Sequence, residues 1–148
     1  MTDNKMMMKK HKVRLAVAAL GLTLAGLAQA QIAVIVNPKN PGGLTAAQVA
    51  DIFLGKSNTL PGGGTAAPTD LPDSSAVREQ FYTKVTGKNA AQVKAGWSRL
   101  VFSGKATPPK ELASAADVKK FVASNPDAIG YIEKSAVDGT VKVALSVD

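Results

Sequence analysis

Cysteine is absent from the 148 residues, and the one histidine, His11, lies with all four methionines, Met1, Met6, Met7 and Met8, in the first eleven. The body of the chain therefore has no thiol nucleophile, no Ser-His-Asp triad and none of the usual zinc ligand sets. A lysine-activated serine would need an S-x-x-K spacing, and none occurs. Carboxylates remain, among them Asp51, Asp70, Asp73, Glu79, Glu111, Asp117, Asp127, Glu133 and Asp138. Their spacing singles out no acid and base pair, and they read as caps, turns and solvated faces. An enzyme is the weakest class, and no cofactor or metal is expected.

A long basic block is also lacking. The formal net charge is +7, from 18 Lys and Arg against 11 Asp and Glu. Five of those cations (Lys5, Lys9, Lys10, Lys12, Arg14) and Asp3 precede the apolar run "LAVAALGLTLAGLA". Residues 31–148 keep 13 cations and 10 anions, a net +3, which is too mild a surface for strong nucleic-acid binding. The basic start, the apolar run and the small-residue triplet Ala28-Gln29-Ala30 form the pattern of a cleavable signal peptide over 1–30, with cleavage after Ala30. The apolar run is short for a membrane span. Export to the periplasm is the expectation, with 31–148 as one domain that folds without disulfides.

Strand and helix patterns alternate along that domain. "IAVIV" (Ile32 to Val36) is a continuous apolar run and reads as a buried strand. Thr45 and Gln48 form a capping box before Val49, Ile52 and Phe53, and Gly55 supplies the stop. A glycine-rich loop leads to a short strand near Ala66 to Leu71. Val77, Phe81 and Val85 then predict one buried helix face ending at Gly87. Asn89 and Gln92 cap a helix whose Val93, Trp97, Leu100 and Val101 share a face, with Gly104 as its stop. "KATPPKELA" reads as a proline-stiffened link to a helix capped by Ser114 and carrying Val118, Phe121 and Val122. Ile129 to Ile132 and "TVKVAL" read as strands, the latter alternating Val141, Val143 and Leu145 with Lys142 and Ala144. This order predicts an α/β sheet with helices packed on it.

Two phosphate-loop signals are excluded. Gly62, Gly63 and Gly64 lead toward a strand, where a phosphate cradle needs glycines opening a helix. Gly55-Lys56-Ser57 closes a helix, and a P-loop would need glycine where Ala50 stands. The stretch that remains is "DSSAVREQF". Asp73, Ser74 and Ser75 follow a strand and precede a helix, where unpaired N–H groups attract anions and hydroxyls add donors. Arg78, one turn on, either forks onto an oxyanion or pairs with Asp73. Read blandly, Asp73 or Ser74 is a helix cap and Arg78 a surface charge.

"LTAAQVADIFLGK" (Leu44 to Lys56), "DSSAVREQF" and "AIGYI" (Ala128 to Ile132) together resemble the phosphate-binding periplasmic proteins of ABC transporters, especially small single-lobe relatives. The resemblance implies a single lobe of a type II periplasmic-binding-protein-like fold, with a central sheet flanked by about four helices. It implies an Asp-Gly-Ser-Gly-Thr-like phosphate loop in which Asp73 matches the aspartate and Ser75 the serine. Ser74 and Ala76 stand where glycines are usual, Val77 replaces the threonine, and Leu71 stands where the full-length family places a phosphate-binding arginine. The expected ligand set is Asp73, Ser74, Ser75 and Arg78, for phosphate or another small oxyanion. One lobe leaves such an anion wet, so affinity is expected between about micromolar and millimolar. A periplasmic or membrane transporter partner and self-association are the further partner expectations. The alternative is a ligand-free interaction module that contacts an envelope protein.

Overall fold

The computed structural model describes residues 31–148, so the signal-peptide reading lies outside the described residues. Its elements run β1 (Ile32–Val36), α1 (Ala46–Phe53), β2 (Ala67–Asp70), α2 (Ala76–Thr86), α3 (Ala90–Phe102), β3 (Lys110–Glu111), α4 (Ala115–Ser124), β4 (Ala128–Glu133) and β5 (Lys142–Val147), with a 3-10 turn at Lys134–Ala136. They build the expected α/β architecture, a five-stranded sheet in the order β3-β2-β4-β1-β5. β2 runs parallel to β3 and β4, while β1 is antiparallel to both β4 and β5.

The uninterrupted apolar run of β1 is explained by its place: it has a strand on either side, and all five of its residues are buried. Neighbouring residues of β4 show what covers the two faces. A Cβ on Gly130 would lie 2.6 Å from Val118 Cγ1, so α4 presses directly on that face. Tyr131, on the opposite face, stacks on Phe81 of α2 at 4.0 Å between ring centroids and meets Phe53 of α1 edge-on at 5.8 Å. Asn37, just past β1, donates its amide to the carbonyls of Val122 and Ala123 and so closes the end of α4.

The local helix signals correspond to real caps. Thr45 with Gln48 and Asn89 with Gln92 form complete capping boxes, and Ser114 caps α4. Gly55, Gly87 and Gly104 take left-handed φ values of 75°, 70° and 70° at the helix ends. Several longer-range expectations are corrected. The buried face of α2 is Arg78, Phe81 and Tyr82, with Val77 and Val85 only half-buried, because that side of the helix meets an acidic strand end rather than an all-apolar surface. On α3 the buried set is Ala90, Val93 and Trp97, while Val101 is 49% and Phe102 96% exposed, because the helix runs beyond the body it packs on. The proline-rich link contains the two-residue strand β3, paired to Thr69 and Asp70. In β5 the pairing shifts between Val34, opposite Leu145, and Ile35, opposite Val143. Ala144 is the extra residue of this bulge, so it turns inward and Val143 turns outward, reversing the predicted alternation. Its carbonyl accepts from the Leu44 N–H at 3.1 Å, which ties the approach to α1 onto the sheet edge.

Candidate functional site

β2 and β4 are parallel, and both end on the same edge of the molecule, at Asp70 and Glu133. In open sheets such an edge, where helices begin, is the ordinary place for a ligand. After Asp70 the chain turns through Leu71 to Ser74, with the Ser75 N–H donating to the Pro72 carbonyl at 2.9 Å, and enters α2. Ser75 is the N-cap: its backbone is extended and its hydroxyl oxygen accepts from the Arg78 N–H at 3.3 Å. The cap is thus neither Asp73 nor Ser74.

Arg78 is neither a surface charge nor a free fork, being only 7% exposed. Its Nε donates to Asp70 Oδ1 at 3.2 Å and its Nη1 to Asp73 Oδ1 at 2.7 Å, while Lys94 Nζ of α3 reaches Asp73 Oδ2 at 2.6 Å. Asp70 is the centre of this network. Its side chain is 12% exposed and accepts also from the Tyr82 hydroxyl at 2.8 Å, from the Tyr131 hydroxyl and from the Leu71 N–H at 3.0 Å. A nearly buried carboxylate is tolerable only with such a set of donors and an opposite charge. Both tyrosines are held protonated well above the ordinary phenol value, by burial first and then by the Asp70 charge. Burial works against the Arg78 cation, but the attraction and hydrogen bond of Asp70 raise its pKa overall. The exposed Asp73 is lowered by the Lys94 hydrogen bond and charge.

The open space lies on the other side of this loop. A cleft of about 320 Å³ is lined by Leu71, Pro72, Ser74, Ser75 and Val77 at the start of α2, by Ala113, Ser114 and Ala115 at the start of α4, and by Glu133 and Ala136 at the end of β4. Two helix N-termini, each capped by a serine hydroxyl, border one opening. Of the four residues singled out in the sequence, the structure brings Ser74 and Ser75 to the cleft and turns Asp73 and Arg78 into the ion-pair network behind it. Ser114 was legible as a cap but not as a neighbour of Ser75. Asp70, Tyr82 and Tyr131 carried no local signal, since the pairing of β2 with β4 and the packing of α2 bring them together, and Glu133 reaches the cleft only through the place of β4 in the sheet. Among the described residues no group of three or more His, Cys, Asp or Glu could hold a metal ion, and no helix is long and apolar enough to cross a membrane.

No protein-family model matches the chain, and no curated protein is significantly similar to it in sequence. Solved structures do match. A Clostridium perfringens protein assigned to the phosphate ABC transporter substrate-binding proteins, solved with bound phosphate, superposes with a TM-score of 0.63 at 28% identity, over 78% of this chain and 45% of its own. An ABC-type phosphate transport receptor from Vibrio cholerae gives 0.61 at 23% identity, over 78% and 46%. PstS from Borrelia burgdorferi gives 0.53 at 16%, over 71% and 42%. The fold is therefore that of the periplasmic-binding-protein-like α/β sheet, and the chain spans less than half the length of these neighbours.

Proposed function

We propose that the protein is an exported solute-binding-like module that recognises phosphate or a related oxyanion in the cleft between the starts of α2 and α4, and that it is linked to an ABC phosphate transport system. The observation that carries this reading is the convergence of two serine-capped helix N-termini on one opening, each contributing free N–H groups and a partial positive charge. The phosphate bound to the Clostridium perfringens neighbour supports the choice of anion. In this reading Ser74 and Ser75 meet the anion with their hydroxyls, the unpaired N–H groups of the first turn of α2 supply the backbone donors, and Asp73 and Arg78 hold the loop from behind. Glu133 sets a selectivity. An ionised carboxylate can only accept, so it suits a phosphate that still carries a proton and repels sulfate, which has none near neutrality. Export to the periplasm with cleavage after Ala30 belongs to the same proposal.

Calorimetry on residues 31–148 with phosphate and with sulfate tests it. Binding should be weak, salt-sensitive and stronger for phosphate. Ser75→Asp keeps a good capping oxygen but adds a negative charge at the cleft, so stability should hold while binding is lost. Unchanged phosphate binding in Ser75→Asp, or no heat from the unmodified protein at millimolar phosphate, would overturn the site. The second reading is an interaction module for a periplasmic or envelope partner. The adjoining Val101 and Phe102, exposed at the end of α3, favour it.

A further inference from the structure

The end of β2 remote from the cleft carries a larger depression, of about 530 Å³, which the oxyanion reading leaves unused. It is built by a local motif that occurs twice. Phe53-Leu54-Gly55-Lys56-Ser57 ends α1, and Phe102-Ser103-Gly104-Lys105-Ala106 ends α3. In both, the glycine is left-handed and donates to the carbonyl three residues back (Gly55 to Ile52 at 3.2 Å, Gly104 to Val101 at 3.0 Å). The lysine N–H then donates to the carbonyl five residues back, Lys56 to Asp51 at 2.8 Å and Lys105 to Leu100 at 3.0 Å. This doubly bonded turn fixes where each lysine leaves the backbone. Both lysines line the same depression.

Among the described residues neither lysine belongs to an ion pair, unlike Lys94 and Lys119, and no Asp or Glu lines the depression. The helix-end carbonyls that two cations would otherwise serve are already bonded to the turn N–H groups. Its lining also includes the apolar side chains of Trp97 and Pro68 and the hydroxyl-bearing Thr65 and Thr107. The indole is immobilised: its Nε1–H donates to the Phe53 carbonyl at 2.8 Å, and a Cβ on Gly55 would sit 2.9 Å from the ring.

We propose that this depression is a second ligand site, for a small organic anion in which a phosphate or carboxylate is carried on a flat apolar body. The two ammonium groups take the anionic end, the hydroxyls supply hydrogen bonds, and the body lies on Trp97 and Pro68. Size agrees, since pockets of a few hundred Å³ hold ligands of this class.

Trp97 is the chain's only tryptophan, so tryptophan emission comes from a residue that lines this depression. Phenyl phosphate is the probe, with benzoate as the carboxylate form, and inorganic phosphate and phenol as the two half-ligands. Titration should change Trp97 emission saturably with both anions, and far more weakly with either half-ligand. Lys56 and Lys105 are exposed, so Lys56→Ala/Lys105→Ala should fold normally and weaken phenyl phosphate binding by about tenfold or more. Ser75→Asp should leave the response intact, which separates this site from the α2/α4 cleft. No saturable change at millimolar phenyl phosphate, an undiminished response in the double lysine variant, or loss of the response in Ser75→Asp would each overturn the proposal.

Discussion

Arg78→Met is the perturbation that most directly weighs the buried network against the sequence expectation of Arg78 as an anion ligand. Methionine keeps most of the stem volume, so the cavity cost is small and the charge is what is removed. Arg78 is 7% exposed and its partner Asp70 has a side chain 12% exposed, so the pair is close to the buried limit, where deleting one partner costs about 3–5 kcal/mol. Asp70 would still accept from Tyr82, Tyr131 and the Leu71 N–H, which places the expectation at the lower end, about 3 kcal/mol. Asp70→Asn leaves the exposed Asp73 as the anion paired with the guanidinium, and should cost about 2–3 kcal/mol. The double variant has no stranded buried charge, so its cost should fall short of the sum by about 2 kcal/mol. Urea unfolding of residues 31–148, with the slope checked for constancy, measures all three. Additivity within about 0.5 kcal/mol, or an Arg78→Met cost below about 1 kcal/mol, would refute the argument that this ion pair organises the start of α2.

Trp97→Ala and Phe102→Ser contrast two aromatic residues of α3. The first should cost about 3–5 kcal/mol in urea, through lost packing and the lost bond to Phe53, and the second should stay within about 0.5 kcal/mol. Asp138 should contribute to acid stability, since its pKa is brought from 3.8 to about 2 by the Thr140 hydroxyl and N–H and by Lys119. Being lowered in the folded state, it contributes stability that is complete above pH 3.8 and is lost as the pH falls through about 2. Thermal midpoints between those values should therefore fall less steeply in Asp138→Asn than in the parent, and identical slopes would remove Asp138 from the account. Intact mass of the exported protein should correspond to an N-terminus at Gln31, and a retained leader would refute cleavage after Ala30.

Sequence alone determined the features whose partners lie within one helical turn. Thr45 with Gln48, Asn89 with Gln92, Ser114, and the glycine stops at 55, 87 and 104 each act over three to five residues, so the same atoms meet whatever else the chain does. Apolar runs likewise marked β1 and β4, because burial on both faces leaves no polar positions. Tertiary structure decided everything that depends on a distant partner. Arg78 is buried because β4 brings the Tyr131 hydroxyl, 61 residues away in sequence from Asp70, to the carboxylate the arginine pairs with. The inward turn of Ala144 is a property of its register against β1, not of its own neighbours. The repeated Phe-x-Gly-Lys turn draws the boundary clearly. Both copies fold into the same hydrogen-bonded helix end, as local sequence dictates, yet Phe53 is fully buried against Phe81, Tyr82 and Tyr131 while Phe102 is 96% exposed. A turn is specified by its own backbone, whereas burial requires another surface, and the packing of α1 against α2 and β4 supplied one.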